Sequence, residues 1–203
     1  MQAVEVRVWD PFVRVAHWLL ATVVLVDWFT DEPRWMHVWL GYFAITLVVL
    51  RVLWGFVGPE YARFTSFVRG PLLVFHYLAG LIRLSSKRYL GHSPAGGAMI
   101  VALLFMIAVT AVTGLVNLAQ DQGEGLFAGV IAKVERPARL PGQRRPPLVS
   151  KQVHETVANI TLVLVVLHVF GVGLASFAHR ENLVRAMITG RKRGQRTTIA
   201  DSD

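Results

Sequence analysis

The chain has 203 residues, 54% of them hydrophobic, and a formal net charge of +8. A mean hydropathy of +0.48 with the apolar residues gathered in long blocks excludes an ordinary soluble domain and places the protein in the membrane class. There is no cysteine, which removes disulfides, thiolate-held clusters and covalent attachment of a prosthetic group through cysteine.

In chain order, residues 1–11 read as a short interfacial lead-in, with Val4, Val6 and Val8 alternating before Trp9-Asp10-Pro11. Pro11 is well placed to start a helix. Four blocks approach the ~20 residues that cross hydrocarbon: about 12–29, 36–57, 98–119 and 153–177. The first is read as a retained span, because no small-residue cleavage pattern follows it and Asp27-Trp28-Phe29 fits such a site poorly. A polar linker, Thr30 to Trp35, follows. In the middle loop, Leu72 to Leu84 is apolar but too short to span, and Arg69, Arg83, Lys87 and Arg88 flank it, so it is expected to lie in the interface. The loop 120–152 is longer than a connector needs, with irregular backbone at 123–125 and 141–147 and a short surface helix expected over Phe127 to Val134. The tail turns basic at Arg191 and then polar, with disorder expected at its end. The expected fold is all-α, an integral membrane four-helix bundle with an additional short interfacial helix.

The positive charge does not point to nucleic acid, because it lies between and after the spans. With four crossings, both termini and the middle loop share a side carrying fourteen of the basic residues; the opposite side carries seven. The positive-inside rule puts both termini in the cytoplasm.

Ionisable or ligating groups inside spans are costly and are functional candidates by default. His154 and His168 are fourteen residues apart in the last span. Fourteen steps of about 100° bring both to one face, about 21 Å apart along the axis. By depth, His37 and His154 both enter from the periplasmic side, and His17 and His168 lie toward the cytoplasmic half. The pattern proposes two bis-histidine metal or haem sites, His17/His168 and His37/His154. Bis-imidazole ligation leaves iron no open position and favours electron transfer over oxygen chemistry.

Arg51 follows His37 by fourteen residues, on nearly the same face and at the depth of the cytoplasmic site. A buried arginine needs an anion: a haem propionate, a carboxylate or a lipid phosphate. Gly41, one turn after His37, leaves room for a porphyrin or for helix packing, as do Gly171 and Gly173 after His168. Asp10 and Arg14 are spaced to pair and to orient the segment before His17. Span three has no interior histidine and is expected to wall the bundle, with Thr110, Thr113, Gly114 and Asn117 as packing groups. Glu155 is expected at the rim of the periplasmic site. Lys151 and the loop arginines are expected to hold propionates or to dock an acidic partner. His76 is expected at the interface, His92 as a cap or rim residue, and His179 among head groups or water. A metal-ion transporter is the competing class, but it needs mid-membrane carboxylates or broken helices, and the spans carry almost no carboxylates.

Four stretches carry a resemblance: Trp9-Asp10 through Arg14 to His17-Trp18; His37 through Gly41 to Arg51; His154-Glu155-Thr156-Val157-Ala158-Asn159; and Leu167-His168. With Glu181 to Met187 after the last span, these resemble the bacterial cytochrome b561 family, which includes the b-type cytochrome subunits of membrane nickel–iron hydrogenases. The resemblance implies one transmembrane cytochrome b domain over 1–203 with a basic cytoplasmic tail at 180–203. It implies two non-covalent haem b groups on His17, His37, His154 and His168; Arg14, Arg51 and Gly41 are the further candidates for cofactor contact. It further implies electron transfer in the bacterial inner membrane between ubiquinone or menaquinone and a redox partner. The chain would be a free-standing oxidoreductase, or an anchor and relay subunit for a periplasmic dehydrogenase, hydrogenase or c-type cytochrome. The surface near His76, His92 and Arg51 is the expected quinone site.

Overall fold

Asp10 precedes Pro11, and this pair starts the first long helix: Asp10 Oδ1 accepts from Val13 N at 3.1 Å, while the missing N–H of Pro11 costs nothing in a first turn. The computed structural model describes residues 5–30, 32–135 and 146–194. Asp31, the loop arginines Arg136, Arg139, Arg144 and Arg145, the irregular stretch up to residue 145 and the end of the tail lie outside the described residues.

Among the described residues four helices are long and apolar enough to cross a membrane: α1 (Pro11–Trp28), α2 (Arg34–Val57), α5 (Pro94–Gln122) and α6 (Val149–Ala178). Between them come a single 3-10 turn (Glu60–Ala62), α3 (Phe64–Phe67) and α4 (Pro71–Ile82); α7 (Leu183–Thr189) follows α6. Among the described residues the fold is all-α apart from two three-residue strands. The long helices run past the expected span ends by up to four residues. Hydropathy marks only the part that must be apolar, whereas a helix continues until its caps stop it. Ser93 Oγ accepts from Gly96 N at 3.1 Å and starts α5 at Pro94. Gly123, at φ +74°, ends it.

The chain divides into two compact units. The first comprises Met1–Trp18, Arg51–Ile100 and His168–Asp203. Here the lead-in is not an interfacial arm but a strand. β1 (Glu5–Arg7) pairs antiparallel with β2 (Arg191–Arg193), with Val6 opposite Lys192. Val8, Trp9 and Ala186 form a small core with Val6, Tyr61 and Met187 packed on it. Val8 N and Trp9 N both donate to Gly190 O, at 2.8 and 3.1 Å. Helix α7 starts on Asn182, whose side chain accepts from Arg185 N, and ends on Gly190 at φ +80°. Lys192, in the expected polar tail, is buried. Its Nζ donates to Tyr89 O at 3.0 Å and lies 3.6 Å from Glu181, which Arg88 grips through Nε and Nη2 at 3.2 and 2.8 Å. The short apolar segment is helix α4, with Tyr77 and Leu81 buried and Leu72, Leu73, Phe75, Leu78 and Ile82 exposed.

The second unit comprises Leu19–Leu50 and Val101–Leu167. Its buried residues include Val23, Ala44, Leu47, Val48, Leu104, Ile107, Leu115 and Leu118. Arg34 reaches Asp121 Oδ2 with both terminal nitrogens at 3.1 Å. The stretch from Leu126 to Val130 is a run of turns rather than the expected surface helix; Gly129 lowers its helical propensity. Tyr42 Oη accepts from Leu126 N at 3.1 Å and ties this stretch to α2.

Candidate functional site

In the second unit, His37 and His154 face each other with ring centroids 6.1 Å apart and planes at 85°. Each ring is held through Nδ1. Around His37 Nδ1 lie Thr30 O at 3.1 Å, Asp27 O at 3.3 Å and Asp27 Oδ1 at 2.9 Å. Around His154 Nδ1 lie Thr110 O at 3.0 Å and Thr113 Oγ1 at 3.3 Å. Carbonyl and carboxylate oxygens only accept, so Nδ1 carries the proton in both rings and the lone pair is left on Nε2. That is the arrangement of metal-ligating histidines, whose second nitrogen donates to a carboxylate or carbonyl.

Helix α5 does more than wall the site. Thr110 and Thr113 each spend their hydroxyl on the backbone one turn back, Thr110 Oγ1 also meets Thr161 Oγ1 at 2.9 Å, and Gly114 lets the imidazole lie close. A Cβ on Gly114 would come 3.0 Å from His154 Cε1. Gly41 stands on open space, with nothing within 4 Å of where a Cβ would be. Glu155 is exposed beside His154 and lies 3.6 Å from Lys151 one turn back.

In the first unit, His17 and His168 have ring centroids 6.3 Å apart with planes at 56°. Trp18 packs edge-on against His17 at 5.1 Å. Gly171 and Gly173 also face open space. Arg51 is 7% exposed; its Nη2 donates to Ala62 O at 3.2 Å and its guanidinium lies over Phe64, 5.5 Å from the ring centre. Arg14 does not take up Asp10, which is spent as the cap; it donates to Ile188 O instead. Five side-chain nitrogens here are shielded from solvent and without a partner: Arg14 Nε, His17 Nδ1, Arg51 Nη1, Trp54 Nε1 and His92 Nδ1. A donor left unsatisfied costs about 1–3 kcal/mol, so a cluster of them marks the place of an acceptor.

His92 is no mere cap. It is wedged between Trp9 and Phe67, with ring centroids 4.3 and 4.6 Å away. Burial, reinforced by the charges of Arg51 and Lys192, pushes its pKa down to about 3, so the ring is neutral. His179 is partly exposed and also meets the protein: Tyr77 Oη lies 3.2 Å and Ser86 Oγ 3.4 Å from its Nε2, and burial lowers its pKa. His76 is exposed on α4 with Nδ1 2.9 Å from Leu72 O, while His92 and Arg51 share one neighbourhood.

Two imidazoles that clasp one metal ion place their centroids roughly 6 Å apart, from two bonds of about 2 Å and about 1 Å from each nitrogen to its ring centre. Both pairs have that separation. Among the described residues no cluster of three or more metal-binding side chains occurs, so a bare ion has no cage and the donor sets fit a group that brings its own equatorial ligands. Haem is such a group: two axial imidazoles, an apolar surround, space at glycine and unspent cationic donors suit it.

Four apolar helices and facing imidazoles define the class, a membrane cytochrome. The chain belongs to the prokaryotic cytochrome b561 family, whose profile matches residues 8–190. It is a multi-pass membrane b-type cytochrome of electron transfer, with haem b as its cofactor. No curated protein and no solved structure matches the chain.

Proposed function

We propose that residues 1–203 are one transmembrane cytochrome domain holding two non-covalent haem b groups, one between His17 and His168 and one between His37 and His154. The chain then passes electrons between a quinone or quinol and a redox partner, in a bacterial inner membrane with both termini cytoplasmic. The observation that carries this reading is the shared centroid separation, 6.3 and 6.1 Å, of two pairs drawn from different helices.

Bound haem supplies a one-electron couple between ferric and ferrous iron. The chain's residues orient it and set its surroundings. His37 and His154 donate from Nδ1, which turns each Nε2 lone pair toward the ligand position. Two histidines holding each haem would leave its iron no position for oxygen or substrate, and the chemistry supplied would be electron transfer alone. Arg14 and Arg51 supply positive charge on the His17/His168 side, and Gly41 keeps room beside His37. The fourteen-to-seven split of basic residues supports the orientation. The partner on the opposite side would be a c-type cytochrome or a dehydrogenase, and lipid covers the apolar helix faces.

Pyridine haemochrome counts on purified single variants test this. His17→Ala and His168→Ala should each leave one haem per chain with the same surviving redox wave, and His37→Ala and His154→Ala should each leave the other. Full haem content in any of the four overturns the pairing.

A further inference from the structure

The unpartnered nitrogens of the first unit are not scattered. Arg51 and Trp54 are three residues apart on α2 and share a helix face. The guanidinium of Arg51 lies over Phe64, Phe64 meets Phe67 at 5.6 Å, and Phe67 meets His92 at 4.6 Å. Neither key side chain is free to turn its nitrogen elsewhere. Arg51 is anchored by Nη2 on Ala62 O, and the His92 ring is wedged between Trp9 and Phe67. The carboxylate of Asp10 acts on Arg51, but it already caps α1. Arginine and tryptophan nitrogens can only donate. The set therefore needs an acceptor that brings several oxygens and a negative charge.

We propose that Arg51 Nη1, His92 Nδ1 and Trp54 Nε1 form a carboxylate-binding site that takes a propionate of the haem clasped by His17 and His168. This rests on the haem assignment made above. Any oxyanion offers the same chemistry, a phospholipid phosphate included. The propionate is favoured because Arg51, Trp54 and His92 belong to the same compact unit as the His17/His168 pair and their nitrogens are sealed from solvent.

The reduced haem carries one more electron than the oxidised form, and a nearby cation or hydrogen-bond donor on its propionate stabilises that extra charge. Potentiometric titration of haem-replete protein in lipid-free detergent reads this directly. The wave that disappears in His17→Ala should move to lower potential in Arg51→Gln and in His92→Leu, while the other wave stays. His92→Gln, which keeps an amide donor, should restore much of the shift. Arg69→Gln, an exposed charge in the same unit, should move neither wave. With both haems bound and both waves unmoved, the proposal falls while the haem assignment stands. Full haem content in His17→Ala defeats the assignment itself. A shift seen only in vesicles containing phosphatidylglycerol assigns the site to a lipid phosphate and overturns the propionate. Should Arg51→Gln lose both haems, His92→Leu decides, since a moved wave supports the site and an unmoved one overturns it.

Discussion

His154 Nδ1 lies 3.0 Å from the carbonyl oxygen of Thr110, so α5, which has no histidine of its own, sets the direction in which the imidazole of α6 points. Thr113 adds a hydroxyl at 3.3 Å, and Gly114 removes the one side chain that would push the ring away.

Gly114→Ala tests that relationship. The new methyl would sit 3.0 Å from Cε1 and 3.3 Å from Nδ1, tight enough that the ring must give by a few tenths of an ångström in a close-packed surround. The imidazole must tilt and give up part of its bond to Thr110. Loss of such an orienting contact lowers metal-site affinity by about 10–100-fold. Haem retention after dilution should fall for the site that includes His154, while the wave assigned to His17/His168 remains. Equal retention of both haems would refute it.

Asp27→Asn tests the electrostatics of the facing imidazole. Asp27 Oδ1 lies 2.9 Å from His37 Nδ1, and a carboxylate there makes the ring a stronger electron donor. A stronger donor with a negative charge behind it favours ferric over ferrous iron. Neutralising it should raise the potential of the His37/His154 wave, opposite in sign to the Arg51→Gln effect on the other wave. Potentiometric titration of the variant reads both waves at once.

Hydropathy was enough to reveal the four spans, and the fourteen-residue spacing with depth matching anticipated which histidine rings lie near one another, because both follow from helix geometry and membrane thickness. Contacts between residues far apart in sequence were hidden. Glu5–Arg7 pairs with Arg191–Arg193, and three-residue strands leave no periodic signal. Lys192 looked like part of a solvated tail, yet its Nζ meets Tyr89 and Glu181. His92 follows a glycine just before α5 and read as a cap; its stacking depends on Trp9 and Phe67, which only the fold brings to it. Asp27 was within reach. An acid at one end of a short linker and a histidine just past it can meet, and a charge at a span end needs a partner. The part of Thr110 was not legible, since its carbonyl rather than its side chain holds His154.

Gly190→Ala should loosen the clasp between the chain ends. Gly190 has φ +80°, and its O accepts from Val8 N and Trp9 N. A Cβ there would lie 2.7 Å from Trp9 O. The left-handed backbone alone costs a side-chain-bearing residue about 1–2 kcal/mol, and the clash adds to it. Thermal unfolding in detergent should begin at a lower temperature, with protease cutting first near residues 5–8. Unchanged melting would mean the clasp contributes nothing to stability.

Glu181 gives the clasp a pH dependence with a definite sign. Burial alone would raise its pKa, but the hydrogen bonds from Arg88 and the charge of Lys192 outweigh that and hold it below the ordinary carboxylate value. The folded state therefore prefers the ionised form, and the unfolded chain takes up a proton more readily as the solution is acidified. The stabilisation is complete above the unfolded carboxylate's pKa and disappears as the pH falls through the lowered folded value. Glu181→Gln should melt below the native protein at neutral pH, by an amount equivalent to about 2 kcal/mol for the lost charged hydrogen bonds. The gap should close as both proteins are acidified through and below the usual carboxylate range. A gap that stays constant into acid would show that the carboxylate's charge is not what Arg88 and Lys192 hold.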